Sequence, residues 1–129
     1  MKYLIIAAAF AMAAGLAPQA AADSHSLYEM RTYYANEGKI DDLHARFRNH
    51  TMKLFEKHGM KNIAYWSPAD QPNTLIYIIA HKSAEAAEAS WKAFVADPAW
   101  VEVYTASIAD GRLVAKIDNV FMTKTDYSP

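Results

Sequence analysis

Seven consecutive residues, Thr74-Leu75-Ile76-Tyr77-Ile78-Ile79-Ala80, constrain this chain more than any other segment. They are uncharged and dominated by β-branched and aromatic side chains, so they read as a strand. Alternation points Ile76 and Ile78 to one side and Leu75, Tyr77 and Ile79 to the other. A strand that is apolar on both sides is buried on both faces. The chain must therefore place this strand inside a sheet and find a cover for each face.

The neighbouring segments define the rest. Leu27 to Tyr34 alternates and is rich in aromatics, which predicts a strand, and Ala35-Asn36-Glu37-Gly38 turns the chain. From Lys39, apolar residues recur at Ile40, Leu43, Phe47 and Leu54, a helical face that Gly59 ends. Met60 to Trp66 is a short strand, and Ser67 to Asn73 is a turn by its two prolines and Asx residues. Ser83 caps a helix carrying Ala84, Ala87, Trp91 and Phe94 on one stripe. Asp97-Pro98 breaks that helix and starts another, with Trp100, Tyr104 and Ile108 inward, before Asp110-Gly111 and a last strand from Leu113 to Thr123.

The order β-α-β-β-α-β predicts an α+β, ferredoxin-like sandwich: a four-stranded antiparallel sheet with its helices on one face. Those helices cover only one side of Thr74–Ala80, so a second copy of the chain is expected on the other, as a homodimer.

The N-terminus reads differently. Met1-Lys2, an apolar run from Tyr3 to Leu16 and the closing Ala20-Ala21-Ala22 form the pattern of a secretory leader, with cleavage expected after Ala22. The run is shorter than the about 20 residues a membrane-crossing helix needs. The expected organisation is a leader at 1–22 and one domain at 23–129, exported to the periplasm or beyond. Removing Lys2 moves the net charge from -1 to -2. A mildly acidic domain is poorly matched to nucleic acid or an anionic membrane surface. The chain has no cysteine, which excludes disulfides, thiolate metal sites and a cysteine nucleophile.

Several short stretches carry a resemblance. Tyr28-Glu29-Met30-Arg31-Thr32-Tyr33, Phe47-Arg48-Asn49-His50-Thr51, Phe55-Glu56-Lys57-His58-Gly59, Tyr65-Trp66, Pro72-Asn73-Thr74-Leu75 and Asp97-Pro98-Ala99-Trp100 together resemble the NIPSNAP family, within the dimeric α+β barrel superfamily. The resemblance runs over residues 27–129. It implies a ferredoxin-like subunit pairing sheet to sheet into a barrel, and it implies no particular reaction. Related barrels include cofactor-independent monooxygenases, haem-binding proteins and small cyclases, whose chemistry lies between sheet and helices. By fold analogy they set a monooxygenase or isomerase-like activity, or a protein-interaction module, beside small-ligand binding.

The candidate residues follow from periodicity. His50 continues the stripe of Leu43, Phe47 and Leu54, so it is expected to face the sheet, either as a general base or haem ligand or as a core histidine. Glu29, Arg31 and Tyr33 share one face of the first strand. Arg31 could hold a carboxylate with Glu29 and Tyr33 beside it, or Glu29 and Arg31 could pair with each other as scaffold. Tyr65, Trp66, Tyr77, Trp91 and Trp100 either line an aromatic pocket or form plain core.

No cofactor is predicted outright. His44, His50 and His58 are wrongly spaced along a helix to share one metal ion. Cleavage after Ala22 would leave Asp23-Ser24-His25, whose amine, two amides and imidazole offer the square-planar nitrogen set that suits copper. Neither a Gly-x-Ser-x-Gly motif nor a Gly-rich phosphate loop is present.

Overall fold

A computed structural model describes residues 23–129; the expected leader, 1–22, lies outside the described residues. The elements run β1 (Leu27–Ala35), α1 (Ile40–Arg46), a π-helical turn (Phe47–Thr51), α2 (Met52–Lys57), β2 (Lys61–Trp66), β3 (Thr74–His81), α3 (Ala84–Ala96), α4 (Pro98–Ser107) and β4 (Val114–Thr123). The four strands form one antiparallel sheet in the order β2-β3-β1-β4. The two-sided apolar strand β3 and the aromatic-rich β1 occupy the centre, and the described helices pack on one face. No described helix is long and apolar enough to cross a membrane.

Register assigns the faces. Arg31 stands opposite Tyr77 on one side and Asn119 on the other, so odd positions of β1 share a face with Leu75, Tyr77 and Ile79. That face meets the helices: Tyr33, Leu43, Phe47, Phe55, Leu75, Tyr77, Ile79, Phe94 and Leu113 form the buried core. Phe47 sits at its middle, with ring centroids 5.6 Å from Tyr33, 5.1 Å from Tyr77 and 5.6 Å from Tyr65.

The first helical rod departs from simple periodicity. Its inward residues are Leu43, Phe47, Thr51 and Phe55, a spacing of four throughout. An α-helix turns every 3.6 residues and would swing such a stripe away from the sheet. The π-helical turn absorbs the excess. The Met52 amide donates to the Phe47 carbonyl, five residues back, and the Thr51 hydroxyl donates to the Arg46 carbonyl at 3.3 Å. This corrects the expectation for His50. Uninterrupted α-helix would aim it at the sheet; the widened turn brings Thr51 inward instead and leaves His50 exposed.

The ends of the helices are built by local side chains. Ser83 Oγ accepts from the Ala86 amide at 3.0 Å, and Asp97 Oδ1 accepts from the Ala99 amide at 2.9 Å with Pro98 in the first position of α4. The other Asp97 oxygen receives Lys57 Nζ and His58 Nε2, both at 2.7 Å, which pins the end of α2 to the start of α4. Lys57 and then His58 hold the Asp97 carboxyl well below the ordinary carboxylate range.

Among the described residues, no helix covers the opposite face of the sheet. Ile76, Ile78 and Met30 are half-buried there, and Val120, opposite Met30, is 45% exposed.

Gly59 closes α2 at φ +81°, where a side chain is strained although space is free: its nearest neighbour would be Ser90 Oγ at 3.7 Å. Gly59→Ala is expected to cost about 1 kcal/mol, the penalty of a left-handed non-glycine residue. Urea unfolding with an unaltered midpoint would contradict that account of the helix end.

Candidate functional site

Two groups of chemistry-bearing residues lie on the helix-covered face. The first is built around Glu29, which is 0% exposed. Its carboxylate accepts four hydrogen bonds: from Arg31 Nη1 at 2.7 Å, Trp91 Nε1 at 2.8 Å, His81 Nε2 at 2.9 Å and Asn119 Nδ2 at 3.1 Å. Burial alone would raise the Glu29 pKa, but the donors from His81, Trp91 and Arg31 outweigh it and hold the group at about 2. A carboxylate offers no proton of its own, so the His81 proton sits on Nε2.

Arg31 lies over the Trp91 ring, with its guanidinium carbon 4.3 Å from the ring centroid. Its other terminal nitrogen is a long 3.5 Å from the Tyr33 hydroxyl, which shares a 2.9 Å hydrogen bond with Tyr77. Desolvation pushes the Tyr77 phenol well up, so it stays neutral. Glu29, Arg31, Tyr33 and Tyr77 are thus brought together, as a nearly self-satisfied polar core in which Glu29 and Arg31 pair with each other.

The second group surrounds a cavity of about 360 Å³ between the sheet and the helices. Its walls include Tyr33 from β1, Phe47, Phe55, Trp100 and Tyr104 from the helices, and Ala115 and Ile117 from β4. Arg46 lines it too, although that side chain is only 7% exposed. The Arg46 guanidinium carbon lies 5.2 Å from the Trp100 ring centroid and 5.5 Å from that of Tyr104. Burial pulls its pKa down from the ordinary arginine value. No histidine lines this cavity, so a haem seated there would find no imidazole ligand.

The remaining candidates are dispersed. Tyr65 stacks on Tyr77 at 5.1 Å, donates to Asn62 Oδ1 at 2.6 Å, and has its phenol pushed up by burial. Trp66 pairs with Ile76 and is 48% exposed at the sheet's edge. His50 lines a separate, shallower groove with Asp42, Asn49 and Glu102. At the start of the described chain, His25 Nδ1 lies 2.8 Å from Asp23, its Nε2 is 3.3 Å from the Gly59 carbonyl, Lys61 pairs with Asp23, and Ser24 is exposed. Among the described residues, no cluster of three or more His, Asp or Glu is placed to hold a metal ion.

Sequence reading left out His81, Asn119 and Arg46. Alternation from Tyr77 and Ile79 carries His81 to the helix-facing side, so that signal was available. Asn119 needs the β1–β4 register. Arg46 sits between Leu43 and Phe47 on the inward stripe, where an arginine is out of pattern.

Comparison with known proteins gives a consistent outcome. The NIPSNAP family model matches residues 28–129. A NIPSNAP family protein of unknown function from Agrobacterium tumefaciens superposes with a TM-score of 0.70 at 24% identity, over 83% of this chain and 95% of that one. A NIPSNAP domain protein from Burkholderia xenovorans gives 0.68 at 18% identity, over 80% and 98%. A protein from Nitrosomonas europaea, described as a candidate antibiotic biosynthesis monooxygenase, gives 0.56 at 13% identity, over 76% and 97%. At such identities the likeness is one of fold. No protein of curated function matches.

Glu29→Gln removes the buried negative charge beside half-buried Arg31 and is expected to cost about 3 kcal/mol in urea unfolding at neutral pH. Because the folded Glu29 pKa, about 2, lies below its ordinary 4.5, the wild type carries that stability above pH 4.5 and loses it as pH falls toward 2. The variant should lack that acid-side loss. Parallel pH–stability curves for the two proteins would remove Glu29 as its source.

Proposed function

The chain belongs to the NIPSNAP family, and on that premise we propose that it is an exported, homodimeric binding protein for a small apolar or aromatic molecule. The observation that carries this reading is the cavity of about 360 Å³ walled by Tyr33, Phe47 and Trp100. Ligand pockets run from about 300 to 1,000 Å³, so this one suits a compact one- or two-ring molecule. Ring faces and edges supply the contact area that binds such a body.

The homodimer is supported by the open sheet face. Ile76, Ile78, Met30 and Val120 form an apolar surface on central and edge strands that no described helix covers. A second copy laid against it would complete the burial that β3 demands on both sides. Export is supported by the positive start, apolar run and alanine triplet of 1–22. The fold likeness to the Nitrosomonas europaea protein favours an oxygenase as a second reading, but the histidine expected to act as its base, His50, lies off the cavity.

Two measurements test this reading. The neutral fluorophore N-phenyl-1-naphthylamine should bind saturably to the wild type, and Ala115→Trp, at the cavity wall, should abolish binding with the fold intact by circular dichroism. Unsaturable fluorescence in the wild type would end the binding proposal. Sedimentation of the wild type should give a dimer and of Ile78→Glu a monomer; a monomeric wild type would refute the sheet-to-sheet assembly.

A further inference from the structure

The helix-covered face of the sheet holds more positive than negative charge. Glu29 and Arg31 are matched within one strand. Arg46 is not: it is nine-tenths buried, and among the described residues no Asp or Glu lies within ion-pair reach of it. An unpaired guanidinium in a protein interior is costly, because desolvation is not repaid by a counter-charge. The faces of Trp100 and Tyr104 offset part of that cost.

The hydrogen bonds leave a defined vacancy of partners. Nη1 donates to Ser107 Oγ at 3.0 Å. Nε is shielded from solvent and has no acceptor, and no acceptor lies within hydrogen-bond reach of Nη2 among the described residues. Nε is therefore closed to a ligand as well, and the free donor is the terminal Nη2, a charged N–H group suited to a carboxylate oxygen. The neighbouring charges agree. None of the residues lining this cavity is acidic, and exposed Arg112 adds a second cation, whereas the separate groove that Arg46 also borders carries Asp42, Glu102 and Asp110 beyond ion-pair distance. Lys116 is turned away, lying over Tyr34 and bridging Asp118 at 3.5 Å.

We propose that the cavity takes an apolar or aromatic carboxylate, whose carboxylate meets the Arg46 guanidinium at Nη2 while its hydrocarbon body lies among Tyr33, Phe47 and Trp100. This rests on the binding reading above and specifies the ligand's chemistry. The π-helical turn serves the same end. It begins directly after Arg46 and keeps Phe47 and Thr51 on the sheet while the arginine remains inside. Such turns occur often at functional sites.

The test is calorimetric titration of the whole dimeric protein with 2-naphthoic acid and with 2-naphthamide, its neutral near-isostere. At neutral pH the wild type should bind the acid at least about tenfold more tightly than the amide, the worth of one charge-assisted pair. Arg46→Gln should erase that preference while still binding the amide, and Arg46→Lys should keep only part of it. A measurement on the wild type alone makes the result independent of how the variants fold. The preference should vanish as pH falls through the ligand's own carboxyl pKa, since the arginine stays charged there. Equal binding of acid and amide by the wild type would overturn the carboxylate proposal and leave the apolar pocket standing. Binding of neither, together with no saturable N-phenyl-1-naphthylamine signal, would overturn both.

Discussion

One carboxylate ties the helix-covered side of this molecule together. Glu29 sits on the central strand β1 and receives Arg31 from its own strand, His81 from β3, Asn119 from β4 and Trp91 from α3. Four donors from four elements can meet two oxygens in only one relative placement of those elements. A one-residue slip of β1 would turn Glu29 to the other face and leave His81, Trp91 and Asn119 without their acceptor. The network therefore specifies register and helix docking together, with buried Glu29 and His81 at its centre.

Around that anchor the interior charges divide into two kinds. Arg31 has its counter-charge in Glu29, and the donors around Glu29 keep it ionised far into acid. Arg46 is buried without an anionic partner, beside a cavity with aromatic walls. The first arrangement is what a scaffold uses, since each charge finds its complement within the fold. The second is a cost that folding alone does not explain, and proteins carry such costs where a ligand supplies the missing group. The physical distinction between them is whether the desolvated charge has a counter-charge, not how deeply it lies.

The sheet's two faces differ in the same spirit. One is filled by interlocking rings, with Phe47 touching Tyr33, Tyr65 and Tyr77 and Phe94 lying 4.5 Å from Trp100. The other presents Ile76, Ile78 and Val120 with no helix above them. Among the described residues, the aromatic-walled cavity and the open apolar surface lie on opposite sides of one sheet. Strand β1 contributes to both, Tyr33 to the cavity and Met30 to the open face, so its side-chain alternation serves two separate demands at once.

The order of elements was legible in the sequence because it depends on local patterns. The two-sided apolar strand Thr74–Ala80, the cap at Ser83, the Asp97-Pro98 helix start and the stop at Gly59 each act over a few residues. The sharing of a face by Glu29, Arg31 and Tyr33 was legible too, from strand alternation. Which face met the helices was not, since alternation is blind to what lies above it. His50 shows the limit most clearly: its inward direction follows from an ideal 3.6-residue repeat, and a π-helical turn, stabilised by packing of Phe47 and Thr51, rotates it out. Asn119 and His81 reach Glu29 only through strand register, and Arg46 is unpaired only because every acid falls elsewhere in space. Local sequence determined the elements and their order; the tertiary structure decided which charges found partners, because that depends on distances between residues far apart in the chain.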